Sequence, residues 1–146
     1  MFTVDASVYI NALPPTEEGS SESRAFLEHV HRQAITVFSP TLLLVELAAV
    51  VARVFNDTRR GIAYARVVHQ LPGQVWLPLD ARLTDVALTL AAQHRLRGAD
   101  AVYTAVAQQT GAILVTLDHQ QLTRHPPSVR AVTPAEALTQ LGGTAP

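Results

Sequence analysis

A chain of 146 residues with 48% hydrophobic content and a net charge of −1 is large enough for one packed core, too small for two, and too apolar to be disordered. Its near-zero charge excludes a global field that would draw it onto a polyanion, so any nucleic-acid contact has to be local. With no Cys, disulfides and thiolate metal sites are excluded, and carboxylate and imidazole remain as the charged metal ligands.

Taken in chain order, Phe2-Thr3-Val4 reads as a short strand ending at Asp5, and Ala6 to Leu13 as a helix stopped by Pro14-Pro15. Thr16 to Ser23 is polar and loop-like. A helix carrying Ala25, Phe26, Leu27 and Val30 follows, then a strand from Ala34 to Phe38. Ser39-Pro40-Thr41 is expected to open a long apolar helix, Thr41 to Phe55, because proline is tolerated at a helix start. Asn56-Asp57-Thr58 makes a turn and cap before a helix to about His69.

Gln74 to Leu77 is a third strand, and helices are expected at Ala81–Arg95 and Ala101–Gln109, separated by the break Arg97-Gly98-Ala99-Asp100. Ala112 to Thr116 has the continuous apolar run of a buried parallel strand. A short helix after Asp118, a loop at Pro126-Pro127, a strand near Val129 to Val132 and a helix from Pro134 to Leu141 complete the chain. Strands alternating with helices imply right-handed crossovers and a parallel sheet covered on both faces. The expected fold is therefore α/β: one three-layer α/β/α domain over residues 1–141 with a central, mainly parallel sheet, and a flexible tail at 142–146.

Four acids stand out against this layout. Asp5 and Asp118 each follow a short apolar strand, and open parallel sheets gather ligands at the carboxyl ends of their strands. Either Asp alone is equally a helix cap. Thr3 and Thr116 lie two positions before them, on the same strand face. Glu46 falls in an apolar helical stripe with Leu42, Leu43, Ala49 and Val50, where an unpaired carboxylate costs several kcal/mol. It therefore needs a proton, an ion pair or a cation, and Arg53 is a poor local partner at about two turns away.

Asp100 opens an alanine-rich helix, with Arg97 three residues upstream as ion-pair partner or phosphate contact. Carboxylates brought together at one sheet edge repel each other unless a divalent ion intervenes. Oxygen ligands without Cys or clustered His suit Mg²⁺ or Mn²⁺, and such an ion activates water and neutralises phosphoryl charge. Ser7, one turn into the first helix, is placed to bond a carboxylate or a metal-bound water. Asn11 lies one turn further along that face. His119 is the one histidine beside the proposed site, and it reads as an exposed first-turn residue.

Val4-Asp5-Ala6-Ser7, Glu46 in its apolar helix, Leu96-Arg97-Gly98-Ala99-Asp100-Ala101 and Leu114-Val115-Thr116-Leu117-Asp118 together resemble the PIN-domain ribonucleases, and in particular their VapC toxin branch. The resemblance runs from Phe2 to about Leu141. It implies that Asp5, Glu46, Asp100 and Asp118 form a catalytic metal site holding Mg²⁺ or Mn²⁺, with Ser7 and Thr116 in support and Asn11 at an often polar position. It implies RNA as substrate, cleaved to a 5′-phosphate and a 3′-hydroxyl, a homodimer, and a small VapB-type antitoxin as partner.

Three other readings compete. A phosphatase of the haloacid dehalogenase type needs a second Asp two residues after the first and a Lys, whereas position 7 is Ser and the chain contains no Lys. A PIN-like fold used as a non-catalytic binding module would have no need of all four acids. A housekeeping RNA-processing nuclease would share the site and differ only in role. The start of the sequence lacks the basic, apolar and small-residue pattern of a signal peptide. The longest apolar helix is interrupted by Glu46 and Arg53 and falls short of the roughly 20 residues a bilayer needs. A soluble, cytoplasmic protein is expected.

Overall fold

The computed structural model describes residues 1–14 and 16–142. Its elements in chain order are β1 (Phe2–Val4), α1 (Ala6–Asn11), α2 (Ser20–Arg32), β2 (Val37–Pro40), α3 (Leu42–Phe55), α4 (Thr58–His69), β3 (Gln74–Leu77), α5 (Ala81–His94), α6 (Gly98–Thr110), β4 (Ile113–Val115), α7 (His119–Arg124), β5 (Ala131–Val132) and α8 (Pro134–Gln140). The strands form one sheet in the order β3-β2-β1-β4-β5, every neighbouring pair parallel. The expected tail beyond Gly142 lies outside the described residues.

Side-chain alternation gives the sheet its two covered faces. Phe2 and Val37, paired across β1 and β2, point into the larger core with Val4, Tyr9, Phe26 and Leu47. Phe38, one residue on from Val37, points the other way. It packs with Leu83, Leu90, Val102 and Val106 of α5 and α6. Phe2 meets Phe26 of α2 edge-to-face at 5.3 Å, the geometry that ring quadrupoles favour. The α3–α4 pair is closer still, because a Cβ on Gly61 would stand 2.4 Å from the Ala48 carbonyl oxygen. Only glycine fits there.

Three of the boundaries that differ from the sequence reading have a clear physical cause. Ser39 and Pro40 end β2 rather than opening α3, and Pro40 pairs with Leu77. The amides of Val37 and Thr41 bond Gly73 and Leu77 on the β3 side. The N–H that Pro40 lacks therefore falls on the β1 side, where pairing is confined to Phe2 and Val37. The strand also starts late. Ala34 turns through φ 48°, and the Ile35 amide returns to the Val30 carbonyl.

The third difference is α2, which begins at Ser20 inside the segment expected to be a loop. Ser20 donates to the Pro14 carbonyl and Ser23 to Asn11 Oδ1. Both serines are buried. These long-range hydrogen bonds bring polar residues into a helix that local composition does not favour.

Candidate metal centre

The sheet order places a topological switch point at β1 and β4: the chain leaves β1 toward β2 and β3 on one side and runs from β4 to β5 on the other. Crevices at such points, beyond the carboxyl ends of the strands, are where open parallel sheets bind ligands. Asp5 directly follows β1 and Asp118 lies just past β4. Together with Glu46 of α3 and Asp100 of α6 they line one cavity of about 310 Å³, to which Ser7, Ile10, Arg97 and Ala99 also contribute. All four acids singled out in the sequence are brought together.

Asp5 is both a cap and a wall of the cavity. Its Oδ2 accepts from the Ser7 amide at 3.1 Å, from the Ser7 hydroxyl and from the buried Thr116 hydroxyl at 3.2 Å. Oδ1 accepts no hydrogen bond within the described residues. Ser7 Oγ in turn accepts from the Leu117 amide, and Thr116 Oγ1 from the Asp118 amide. These two hydroxyls therefore tie the end of β1 to the end of β4. Asp118 divides its oxygens in the same manner. Oδ1 caps α7 through the amides of Gln120 and Gln121, and Oδ2 accepts from Arg97.

Asp100 is no cap. Helix α6 starts earlier than expected, at Gly98 with Arg97 as its flanking residue, and puts Asp100 in the first turn, where a negative charge interacts well with the helix dipole. Its Oδ2 accepts from Arg97 Nε at 2.8 Å and its Oδ1 from Gln121 Nε2 at 3.2 Å. Burial pushes its carboxyl above the usual range, opposed by Arg97 and reinforced by Asp118 and Asp5. Arg97 thus bridges Asp100 and Asp118 while its side chain stays 64% exposed.

Glu46 is half-buried, and its partner is a tyrosine rather than an arginine: the buried Tyr103 hydroxyl donates to Oε2. Burial pushes Glu46 upward, the Tyr103 bond pulls it down, and the charges of Asp5 and Asp100 push it up again. Tyr103 and Gln121 are the participants that sequence reading missed. Tyr103 lies on α6 one turn after Asp100, a spacing that would have pointed to it once the helix phase was known. Nothing local marks Gln121.

Asn11 is not drawn to the cavity. Its amide donates to the Glu18 carbonyl and its Oδ1 accepts from Ser23, which fastens α1 to the start of α2. His119 is exposed, as expected. Thr3 is fully buried on the opposite sheet face to Phe2, and its hydroxyl has no partner among the described residues.

The family match decides what this arrangement belongs to. Residues 2–125 match the PIN domain family. The chain is a PIN-domain protein. Comparison with curated proteins finds no match. Among solved structures it is similar to VapC20 of Mycobacterium tuberculosis, described as a toxin that cleaves the sarcin–ricin loop. Identity there is 16%, TM-score 0.71, with 89% of this chain and 99% of that one covered. It is also similar to FitAcB of Neisseria gonorrhoeae (19% identity, TM-score 0.69, coverage 92% and 98%). A third is VapBC2 of Rickettsia felis, solved on a DNA fragment from its promoter (14%, TM-score 0.68, coverage 90% and 97%). At these identities the structural likeness speaks for the PIN fold, whose central parallel sheet and two helical layers are those described above.

The donor chemistry of the cavity suits a hard divalent ion, being all oxygen and rich in negative charge. Within the described residues, however, no three acidic or imidazole side chains stand close enough together to hold one as they are. Asp100 and Asp118 are instead drawn onto the guanidinium of Arg97. A cation is thus already part of the site, and it is covalently attached to the chain. No helix among the described residues is long and apolar enough to cross a membrane.

Proposed function

We propose that this PIN-domain protein is a Mg²⁺- or Mn²⁺-dependent endoribonuclease and the toxin of a toxin–antitoxin pair. One observation carries the reading: four carboxylates from four separate elements line a single cavity at the sheet's switch point. Like charges gathered there disfavour the folded state unless a cation is present. Asp5, Glu46, Asp100 and Asp118 would hold the ion, which when bound supplies a water of lowered pKa and neutralises charge on the phosphoryl oxygens. Binding requires side chains to move, and the simplest movement is release of Arg97 from Asp100 and Asp118. The freed guanidinium is then at the cavity rim, where its planar fork suits a phosphate. Ser7 and Thr116 keep Asp5 oriented throughout, and Tyr103 holds Glu46 against the cavity wall.

The antitoxin partner rests on the structural neighbours, of which one from Klebsiella pneumoniae is described as a toxin–antitoxin complex and two as VapBC bound to DNA. For a homodimer the support is the apolar groove between α5 and α6, where Leu79 and Leu88 stay exposed. The deciding assay follows single-stranded RNA with purified protein, Mn²⁺ or Mg²⁺, and then excess chelator. Cleavage to 5′-phosphate ends that stops in chelator is expected, and cleavage that continues undiminished would overturn the metal mechanism. Expression in cells is expected to arrest growth until a small co-expressed partner relieves it. Normal growth at high levels of active protein would favour a housekeeping role.

A further inference from the structure

An acid-lined cavity repels the phosphates of its own proposed substrate, and a chain with a net charge of −1 has no global field to overcome that repulsion. Something local has to hold the strand. A second cavity, of about 420 Å³, is lined by Gln93, His94, Arg95 and Arg124. No acid contributes to it. Among the described residues every ion pair is made by Arg97, so Arg95 and Arg124 carry charges that no carboxylate neutralises. They are nevertheless held together, because the Arg124 guanidinium donates to the Arg95 carbonyl at 3.3 Å.

We infer that this pocket is a backbone-phosphate subsite for a single RNA strand whose scissile bond lies at the acidic cavity. The inference takes from the nuclease reading the identity of the strand and the place of its scissile bond. Two features of the chain connect the sites. Between α5 and α6, Leu96 is buried and anchors a short connection with Arg95 on one side and Arg97 on the other. Arg95 faces the basic pocket and Arg97 the acidic one. Helix α7 spans the same gap, capped by Asp118 at its start and ending at Arg124. Six residues of helix measure about 9 Å, the rise of about three stacked nucleotides of one strand.

The chemistry fits a phosphate diester in particular. Two guanidinium forks and the side chains of His94 and Gln93 offer donors at a concave surface, the arrangement that binds phosphate oxygens bidentately. No Phe, Tyr or Trp lines the pocket, and contacts to backbone phosphates carry no base identity, so the contact should be largely indifferent to sequence.

The test measures binding of a labelled single-stranded RNA to the full chain in excess chelator, where cleavage is not expected, across a range of salt concentrations. Each phosphate contact on a single strand contributes about 0.7 to the slope of log K against log salt. Replacing both arginines, Arg95→Gln with Arg124→Gln, should flatten that slope by about 1.4. Arg59→Gln with Arg66→Gln on α4 removes the same charge elsewhere and should leave the slope near wild type. Mn²⁺ affinity should stay within about twofold in both. If the paired Arg95 variant does not fold, Arg124→Gln alone serves, with an expected change of about 0.7.

Equal slopes in the two double variants would overturn the subsite while leaving the nuclease reading intact. A wild-type protein that binds RNA with the expected arginine dependence, yet never cleaves it with Mn²⁺, would leave the subsite standing and overturn the nuclease. A wild-type protein that binds no RNA would overturn both.

Discussion

Two polar networks lie on either side of β1, and they are built on opposite principles. Toward β2 and β3, Ser39 donates to Gln74 Oε1 and Gln74 Nε2 donates to the Tyr9 hydroxyl, while the Tyr64 hydroxyl donates to the Tyr9 carbonyl. Every member is neutral and paired, and the result fastens α1 and α4 to the sheet edge. Toward β4 the network is Asp5, Ser7, Thr116, Asp118, Gln121, Asp100 and Arg97. It is closed by hydrogen bonds in the same way but holds more negative charge than its one arginine can offset. A satisfied neutral network rigidifies a fold. An under-neutralised acidic one stores an affinity for cations, and the difference separates the structural half of the molecule from the half proposed to act.

The sharpest way to break the comparison is to neutralise an acid. Asp100→Asn is expected to lower RNA cleavage by about 100-fold or more, since a proposed ligand of the ion is lost and even groups that only orient ligands are worth about 10–100-fold. The fold should be retained, as read by circular dichroism and Tm. A variant that cleaves at the wild-type rate would move the chemistry elsewhere.

Gln121→Met comes next, because it separates folding from function in one position. Gln121 is 0% exposed, donates to Asp100, and leaves its own Oε1 without a partner among the described residues. Methionine keeps the volume and removes that unpaired oxygen, but it also takes the donor from Asp100 Oδ1, so the two effects oppose and Tm should change little. Mn²⁺ affinity should nonetheless fall about 10–100-fold, as is typical when a group that orients a metal ligand is lost. Calorimetric titration with Mn²⁺ alone gives the answer, and a lowered Tm with wild-type affinity would make Gln121 part of the packing and nothing more.

Gln74→Leu inverts the pattern. It leaves Ser39 and Tyr9 buried without their partner and should cost about 2 kcal/mol in denaturant unfolding, with Mn²⁺ affinity unchanged. The smallest effect concerns pH on the same neutral side. His31 packs beside Tyr9, and burial holds its pKa below the ordinary value against the pull of the Pro72 carbonyl. The unfolded chain therefore takes up the proton first as pH falls. This contribution is fully present above about pH 6.5, and is lost as pH drops below it toward the lower folded value. The loss should be absent in His31→Gln when Tm is followed across that range.

Much of the site was legible because its acids are costly where they stand. Glu46 announced itself as a carboxylate inside an apolar stripe, and Asp5 and Asp118 as acids at strand ends. What each acid does alone was not legible. Asp5 and Asp118 are caps and cavity walls together, since a carboxylate has two oxygens and capping can occupy one. Asp100, expected at a helix start, sits within the first turn because α6 begins at Gly98. Asn11 shared a helix face with Ser7 yet serves the α1–α2 junction, which depends on where Ser23 arrives from a segment whose composition suggested a loop.

The sequence by itself determined the alternation of strands and helices, and with it the parallel sheet, because periodicity and turn residues act over a few positions. It also determined which acids need an explanation, because burial of charge is costly wherever it occurs. Only the tertiary structure decided that β1 and β4 are neighbours, that Tyr103 rather than an arginine meets Glu46, and that Arg97 bridges Asp100 and Asp118. Such pairings join residues far apart in the chain, 111 positions in the case of Asp5 and Thr116. They are fixed by the packing of whole elements, for which no local pattern in the chain carries the information.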